Sequence, residues 1–324
     1  MIDDQGVTPG NSSRSYRKLQ SAAGEYVMDA LRDQQVIEVL LNEDGRLWVE
    51  FLSGGMGVIG EMSSGEAMSL ISTIAASLNA VATSTSPVIE GELEFAGARF
   101  EGVVPPVVRS PIFSIRKHAT KPLTLSDYVS DGVLSHYHRA VIESAIENRS
   151  NILVSGGTGS GKTTFARSLL HEIADKAPHH RIVTIEDTPE LSTPSENAVS
   201  LRVSPGASAQ ELLRATMRLR PDRIVVGEVR GGEALTLLKA WNTGHPGGIS
   251  TIHANSARAA LMRLEQLIAE VSASPIPHVI ADAVDLIVHL ERSVIDGVRR
   301  VVEVVSVEGY RDGEYLINTI EGAL

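Results

Sequence analysis

The sequence predicts an α/β protein in which a smaller α+β domain precedes a parallel-sheet domain at the C-terminal end. Three observations support this class. From about Leu125 onward, helical patterns alternate with short apolar runs that end in polar residues, as in parallel sheets. Before about Lys117, strand patterns follow one another across turn residues instead. The length of 324 residues suits two domains of ordinary size.

The N-terminal part is predicted to begin with a loose tail and to continue as the α+β domain. Residues 1–17 are polar and rich in Gly, Ser and Asn, which is typical of a tail, and residues 18–117 form the domain. Within it the predicted helices are 24–32 and 67–81. The predicted strands are 36–41, 47–51, the alternating run 91–101 with a turn at 96–97, and 112–117.

A short polar stretch with one proline, residues 118–124, is predicted to link the two domains. Residues 125–324 then form the parallel-sheet domain. Its buried strands are expected to carry functional residues at their C-terminal ends, and they are predicted at 151–154, 182–186, 223–228 and 248–253. Further strands, for which an antiparallel arrangement is one option, are predicted at 283–290, 301–307 and 315–320.

Composition excludes several classes of function. The chain contains no cysteine, which rules out disulfides, thiol catalysis and cysteine-based zinc sites, and suits a cytoplasmic protein. The formal net charge of −11 disfavours a nucleic-acid-binding surface. No stretch approaches eighteen consecutive apolar residues, and residues 1–4 lack the features of a signal peptide, so neither a membrane span nor export is expected.

Residues 156–164, Gly-Gly-Thr-Gly-Ser-Gly-Lys-Thr-Thr, match the phosphate-binding loop pattern G-x-x-x-x-G-K-[ST]. Glycines allow successive backbone N–H groups to turn toward one centre. Lys162 is expected to reach the β- and γ-phosphates, and the Thr163 hydroxyl to bind Mg²⁺. A strand pattern before the loop and a helix pattern after it complete the required context. The predicted nucleotide-binding residues are Gly157, Thr158, Gly159, Ser160, Gly161, Lys162, Thr163 and Thr164.

Two later strand patterns end in carboxylates. The run 182–186 ends at Glu186, with Asp187 and Glu190 just beyond, where a carboxylate can orient or deprotonate an attacking water. A solvated acidic loop would show the same pattern. A second apolar run ends in Gly-Glu, and Glu228 is predicted to hold the Mg²⁺ shell through water or to act in catalysis, with a surface glutamate at a strand end as the alternative.

Two histidines, His245 and His253, flank the apolar run 248–253. Isolated histidines are most often packed or exposed without a chemical role. Metal binding is not expected here because no other ligands cluster nearby in the sequence. A γ-phosphate sensor or hydrogen-bond relay is the favoured functional interpretation.

In order and spacing, these four segments resemble the Walker A, Asp box, Walker B and His box of the secretion traffic ATPases, which drive type II and type IV secretion and pilus assembly. Residues 151–256 carry this resemblance. Segments of the first domain are similar to the conjugal-transfer branch, the TrbB-type ATPases. The absence of cysteine argues against the general secretion branch, which often carries a four-cysteine zinc module. The similar segments of the first domain are 41–45, 91–93, 99–102 and 104–106.

The resemblance implies a RecA-like ATPase domain and a homohexameric ring, with ATP and Mg²⁺ bound between the two domains of each subunit. It implies that Glu190 is the catalytic carboxylate, supported by Glu186 and Asp187, and that His253 is the His-box residue nearest the site. In this family arginines of the N-terminal domain reach the phosphates. The matching positions are Arg99 and Arg116, with Arg220 and Arg230 as weaker candidates.

The function so implied is an ATPase of conjugative type IV secretion, cytoplasmic and peripheral to the inner membrane, which moves its N-terminal domains to do work on partner proteins. A motor for type IV pili or type II secretion is the alternative within the family. A DNA-translocating ring or helicase is disfavoured by the acidic charge, and direct DNA binding is not expected. A non-hydrolysing switch or scaffold is disfavoured by the set Lys162, Glu190, Glu228 and His253.

Overall fold

The computed structural model describes residues 12–52, 54–93, 97–117, 123–188, 190–204, 206–293 and 297–322. The chain divides into two compact units, Met1–Thr120 and Lys121–Leu324. Of the predicted linker 118–124, only residues 123 and 124 lie within the described part of the chain.

The first unit is built on a six-stranded sheet in which all neighbouring strands are antiparallel, in the order β3-β2-β1-β6-β5-β4. The strands are β1 (Val36–Leu41), β2 (Arg46–Phe51), β3 (Met56–Glu61), β4 (Val88–Leu93), β5 (Ala98–Val103) and β6 (Ile112–Lys117). The helices are α1 (Ser12–Arg32) and α2 (Ser64–Ser77). The α+β prediction for this region is therefore confirmed.

Both helices differ from their predicted limits. The first begins at Ser12, inside the predicted tail, and is interrupted at Gly24, where φ is +73°. The second begins with a capping box, in which Ser63 and Glu66 exchange side-chain and backbone hydrogen bonds. It ends at Ser77, earlier than predicted, and buries Leu70, Ile71 and Ile74 against the sheet. The apolar face of this helix thus contributes to the core of the unit.

The sequence pattern does not predict the edge strand β3. Its segment, Met56 to Glu61, contains two glycines and lacks a regular apolar alternation. A Cβ on Gly57 would lie 3.2 Å from the Phe51 ring, and one on Gly60 would lie 2.8 Å from the Tyr26 ring. The glycines are therefore present because aromatic rings pack closely on the strand, a tertiary cause that the local pattern does not reveal.

The second unit contains an eight-stranded sheet in the order β14-β13-β12-β7-β11-β10-β8-β9. Its strands are β7 (Ile152–Gly156), β8 (Ile182–Glu186), β9 (Ala198–Arg202), β10 (Arg223–Val226), β11 (Ile249–His253), β12 (Leu286–Arg292), β13 (Arg299–Arg311) and β14 (Glu314–Thr319). The six strands from β12 to β9 are parallel. β13 is antiparallel to both of its neighbours, β12 and β14, so the antiparallel option is confirmed for these two pairs, whereas β12 also pairs with β7 in parallel.

Helices cover both faces of this sheet. They are α3 (Leu125–Ser130), α4 (His136–Glu147), α5 (Lys162–Lys176), α6 (Ala209–Thr216), α7 (Glu233–Asn242), α8 (Ala257–Ala269) and α9 (Pro277–Ala283). Alternate side chains of β7 pack on opposite faces of the sheet. Leu153 belongs to the core beneath α7 and α8, whereas Ile152 and Val154 belong to the core beneath α4 and α5. Because β7, β11, β10 and β8 are parallel neighbours, their C-terminal ends lie at one edge.

The observed architecture confirms the predicted fold class, an α/β protein with a parallel-sheet domain after a smaller α+β domain. Among the described helices, none combines the length and the apolar character that crossing a bilayer requires.

Candidate functional site

The loop between β7 and α5 has a backbone that glycine makes possible. Gly159 and Gly161 have φ values of +70° and +94°, in the left-handed region. A Cβ on Gly156 would lie 2.3 Å from the carbonyl oxygen of Leu290, closer than two such atoms can approach. The loop leads directly into the 15-residue helix α5, which begins at Lys162. Its turned backbone and the helix N-terminus together suit an anionic phosphate group.

Lys162 lies over this loop and is largely buried, with 7% of its surface exposed. Its ammonium donates to the carbonyl oxygens of Gly156, at 3.0 Å, and Gly157, at 2.9 Å. The same nitrogen lies 3.4 Å from Nδ1 and 3.5 Å from Nε2 of His253, at the end of β11. The lysine therefore connects the phosphate loop to the neighbouring strand.

A chain of polar contacts continues from this lysine along the edge of the sheet. His253 Nε2 lies 2.9 Å from Glu228 Oε1. The other oxygen of Glu228 accepts from Arg230 Nη2 at 2.7 Å and from Nε at 3.0 Å. Arg230 Nη1 donates to Asp187 Oδ2 at 2.9 Å. Residues that follow four neighbouring strands are thus joined in one network, from Lys162 to Asp187.

The pKa of His253 is lowered, first by the partial burial of a side chain that stays 47% exposed and then by the charge of Lys162, against the opposing effect of Glu228. A neutral imidazole can satisfy both neighbours at once. With its proton on Nε2, it donates to Glu228 and leaves Nδ1 to accept from Lys162. His253 is accordingly suited to relay a change in the hydrogen bonding of Lys162 to the carboxylate of Glu228.

The carboxylates that follow β8 have different environments. Glu186 is buried, and its Oε1 accepts the backbone N–H groups of Glu190, at 3.0 Å, and Leu191, at 2.8 Å. A Cβ on Gly227 would lie 3.1 Å from Glu186 Cγ, so the glycine leaves room for this side chain. Glu186 thereby shapes the loop that carries Glu190. The pKa of Arg230 is raised, first by its hydrogen bond to Glu228 and least by the charge of Glu190.

The predicted arginines of the first unit, Arg99 and Arg116, are direct cross-strand partners on β5 and β6. Arg116 is exposed and Arg99 is half-buried. Their predicted contact with phosphates stays a prediction. Arg220, a weaker candidate, is exposed with φ at +55°, whereas Arg230 belongs to the network at the sheet edge.

Comparison with known proteins shows the family. The family described as Type II/IV secretion system protein matches residues 97–313. The chain is 51% identical over 306 residues to a probable conjugal transfer protein TrbB of Sinorhizobium fredii, with 94% of each chain covered. This chain belongs to the type II/IV secretion system protein family. The resemblance inferred from the four motifs is thereby confirmed.

More distant relatives agree with this assignment. The chain is 29% identical to a type IV secretion system protein VirB11 of Bartonella henselae, over 86% of this chain and 90% of that protein. An X-ray structure of the Legionella pneumophila ATPase DotB has a TM-score of 0.62 at 20% identity, with 86% of this chain and 78% of that chain covered. The second likeness supports the fold of this secretion-family member.

Oxygen groups of the kind that Mg²⁺ prefers occur in the first turn of α5 and at the end of β10 of this family member. Thr163 and Thr164 lie half-buried in the first turn of α5, and Glu228 follows β10. No group of three or more His, Asp or Glu side chains forms a metal cage within the described residues. A hydroxyl and a carboxylate nevertheless fit a cation that keeps several waters and shares phosphate oxygens. The residues therefore fit the predicted role of Thr163 and Glu228.

Residues outside the motifs also surround the loop. Arg299, at the start of β13, donates from Nε to the carbonyl oxygen of Gly159 at 2.9 Å. Behind the loop, Ser155 Oγ lies 2.9 Å from Nδ1 of the buried His289. Neither contact carries a sequence signal, because both depend on the pairing of the C-terminal strands with the sheet. An open groove of about 420 Å³ beside the loop is lined by Gly157, Thr158, His253, Ala254, Asn255, Ala259, Met262, Arg263 and Gln266.

Proposed function

We propose that this protein is an ATPase that powers a type IV secretion system serving conjugal transfer. The observation that carries the proposal is the continuous connection from the phosphate loop, through Lys162 and His253, to the carboxylate of Glu228. The names of the relatives, conjugal transfer protein and type IV secretion system protein, support the biological setting. ATP is the proposed substrate and Mg²⁺ the proposed metal.

The phosphate loop would bind the triphosphate through its backbone N–H groups and Lys162. The ammonium of Lys162 is positioned to exchange a carbonyl acceptor of its own loop for a β- or γ-phosphate oxygen. When bound, Mg²⁺ would supply positive charge that stabilises the negative charge on the transferred phosphoryl group. In this scheme Thr163 supplies a hydroxyl to the metal and Glu228 holds its water shell. The remaining loop residues, Gly157, Thr158, Gly159, Ser160, Gly161 and Thr164, shape and line the phosphate cradle.

We assign the activation of water to Glu190. Glu186 is already engaged by two backbone N–H groups of the acidic loop, so it acts by positioning Glu190. Glu190 is half-buried, and its charge acts on Arg230, which supports its assignment to the same network as Glu228. His253 would report the state of the γ-phosphate, because a change in the hydrogen bonding of Lys162 alters what Nδ1 accepts.

The simplest test removes the ammonium of Lys162. We expect Lys162→Ala to lose more than nine-tenths of the ATPase activity while its circular dichroism spectrum stays unchanged, because the side chain acts on ligand and loop rather than in an apolar core. Lys239→Ala is the matched control, since Lys239 is an exposed lysine on α7. Retention of more than a tenth of the activity by a folded Lys162→Ala protein would refute the assignment.

The assembly is proposed to be a homohexameric ring, peripheral to the inner membrane, that acts on the proteins of the secretion machinery. Arg99 and Arg116 are proposed to contact the phosphates when the two domains close on ATP. Their cross-strand pairing puts both guanidinium groups on one face of the first sheet. Arginine suits this role because its planar fork can bind two phosphate oxygens.

This second part of the proposal has its own test. We expect a non-hydrolysable ATP analogue to reduce the radius of gyration measured by small-angle scattering, and Arg116→Ala to lose both this response and most of the turnover. Arg46→Ala is a control, since Arg46 is an exposed arginine of β2 that pairs with Asp44. If Arg116→Ala compacts and turns over normally, the first domain supplies no phosphate ligand at this position.

A further inference from the structure

The paired ends of β12 and β13 bring two arginines to the phosphate loop. Arg292 and Arg299 are direct cross-strand partners at the ends of these strands. Arg299 Nε donates to the carbonyl oxygen of Gly159 at 2.9 Å, across 140 residues of sequence. Its Cδ would lie 3.2 Å from a Cβ on Gly161, and Arg292 Nη1 would lie 3.9 Å from a Cβ on Gly159. Gly159 and Gly161 are therefore the loop positions that lie closest to these two side chains.

The hydrogen bond from Arg299 fixes the orientation of one peptide group. In a planar trans peptide the C=O and the following N–H point in opposite directions. When Arg299 holds the Gly159 carbonyl outward, the N–H of Ser160 must point into the loop. That N–H is directed at the carbonyl oxygen of Gly157, at 3.4 Å, the same atom that accepts from Lys162 Nζ. The Ser160 N–H and the lysine ammonium therefore converge on one centre, as phosphate binding requires.

We propose that Arg299 is a positioning residue of the phosphate loop, which orients the Gly159–Ser160 peptide so that its N–H faces the bound phosphates. The inference rests on the proposed nucleotide site and adds to it a residue outside all four motifs. Arg292, its cross-strand partner, adds positive potential close to Gly159. The C-terminal hairpin thus completes the nucleotide site.

A binding experiment separates positioning from folding. The full-length protein and its variants are titrated with ADP and Mg²⁺ by isothermal calorimetry, and thermal unfolding is recorded without nucleotide. We expect Arg299→Met, which keeps an unbranched stem, to weaken ADP binding about five- to tenfold, the effect of one hydrogen bond to a constrained loop. The KM for ATP is expected to rise similarly, with kcat within about twofold, because the loop binds ground state and transition state alike.

Two further variants sharpen the result. Arg311→Met, at the exposed far end of β13, is expected to bind ADP like the wild type. Arg299→Lys keeps the charge and N–H donors but not the planar guanidinium, and is expected to recover only part of the affinity. Unchanged affinity in a folded Arg299→Met protein would overturn the positioning role. If that variant does not fold, Arg299→Leu, which also lacks a donor, takes its place under the same criteria.

Failure of this inference and failure of the proposed function give different results. If the wild type does not bind ADP, or if Lys162→Ala binds it with undiminished affinity, the loop is not the nucleotide site and both proposals fall. If the wild type binds ADP, Lys162→Ala binds it weakly and Arg299→Met binds it normally, only the role of Arg299 is overturned.

Discussion

Two strands of the second sheet, β8 and β10, are both short apolar runs that lead to a glutamate, but the two glutamates lie in different environments. Glu186 at the end of β8 is buried, and one of its oxygens accepts two backbone N–H groups of the following loop. Glu228 after β10 contacts two side chains, His253 and Arg230, and keeps 18% of its side chain exposed. The comparison shows that the first carboxylate supports local structure, whereas the second is connected to the phosphate loop through a titratable relay.

The largest expected effect is on the rate of ATP hydrolysis, and it comes from the carboxylates proposed to position the metal and the attacking water. We expect Glu228→Gln and Glu190→Gln to lower turnover about 10²- to 10³-fold, because each removes a charge that positions metal or water. Only Glu228→Gln is expected to raise the Mg²⁺ concentration required for half-maximal activity. Titration of Mg²⁺ at fixed ATP measures this difference. Coincident Mg²⁺ curves for the two variants would contradict the division of roles.

Substitution of the buried glutamate, Glu186, is expected to lower the stability of the fold instead. Glu186→Gln loses the negative charge that accepts two N–H groups, so we expect the free energy of unfolding to fall by about 1.5–3 kcal/mol, the range for hydrogen bonds to a charged group. Glu228→Gln, the matched variant, is expected to lower it by less than about 1 kcal/mol, as for a partly exposed ion pair. Chemical denaturation measures both values, and equal losses would remove the distinction between the two glutamates.

The smallest effect concerns pH. Burial and Lys162 lower the pKa of His253, so near its ordinary value of about 6.5 the unfolded chain binds a proton that the folded protein does not. This contribution to stability is therefore present at neutral pH and is lost as pH falls below that value. The charged groups that act on the imidazole are Lys162, Glu228, Arg230 and Arg263.

His253→Gln tests this pH dependence. It is expected to flatten the dependence of unfolding free energy on pH between about 5 and 7, relative to the wild type. Other histidines with lowered pKa values, His171, His180 and His289, are present in both proteins and cancel in the difference. A variant whose pH dependence coincides with that of the wild type would show that His253 does not change its protonation on folding.

Much of the second unit was predictable because the sequence features that specify its strands and its phosphate loop lie within short segments of the chain. Each parallel strand is a short apolar run, and the phosphate loop needs glycine where its backbone turns left-handed, at Gly159 and Gly161. The first unit was predicted less completely. Its strand β3 was not predicted, because Gly57 and Gly60 are explained by aromatic rings from other parts of the chain that pack closely on the strand. The parallel pairing of β12 with β7 was likewise invisible in the local pattern.

The sequence by itself determined the chemical groups of the site: a glycine loop ending in Lys162, carboxylates after two strands, and His253 after a third. These are encoded by residue type and by distance from a strand end, which are local properties. The tertiary structure decided which groups meet. The strand order puts His253 beside Gly156, buries Glu186 but leaves Glu228 facing the histidine, and brings Arg299 to Gly159. Such contacts join distant parts of the chain, so they exist only once the sheet has assembled.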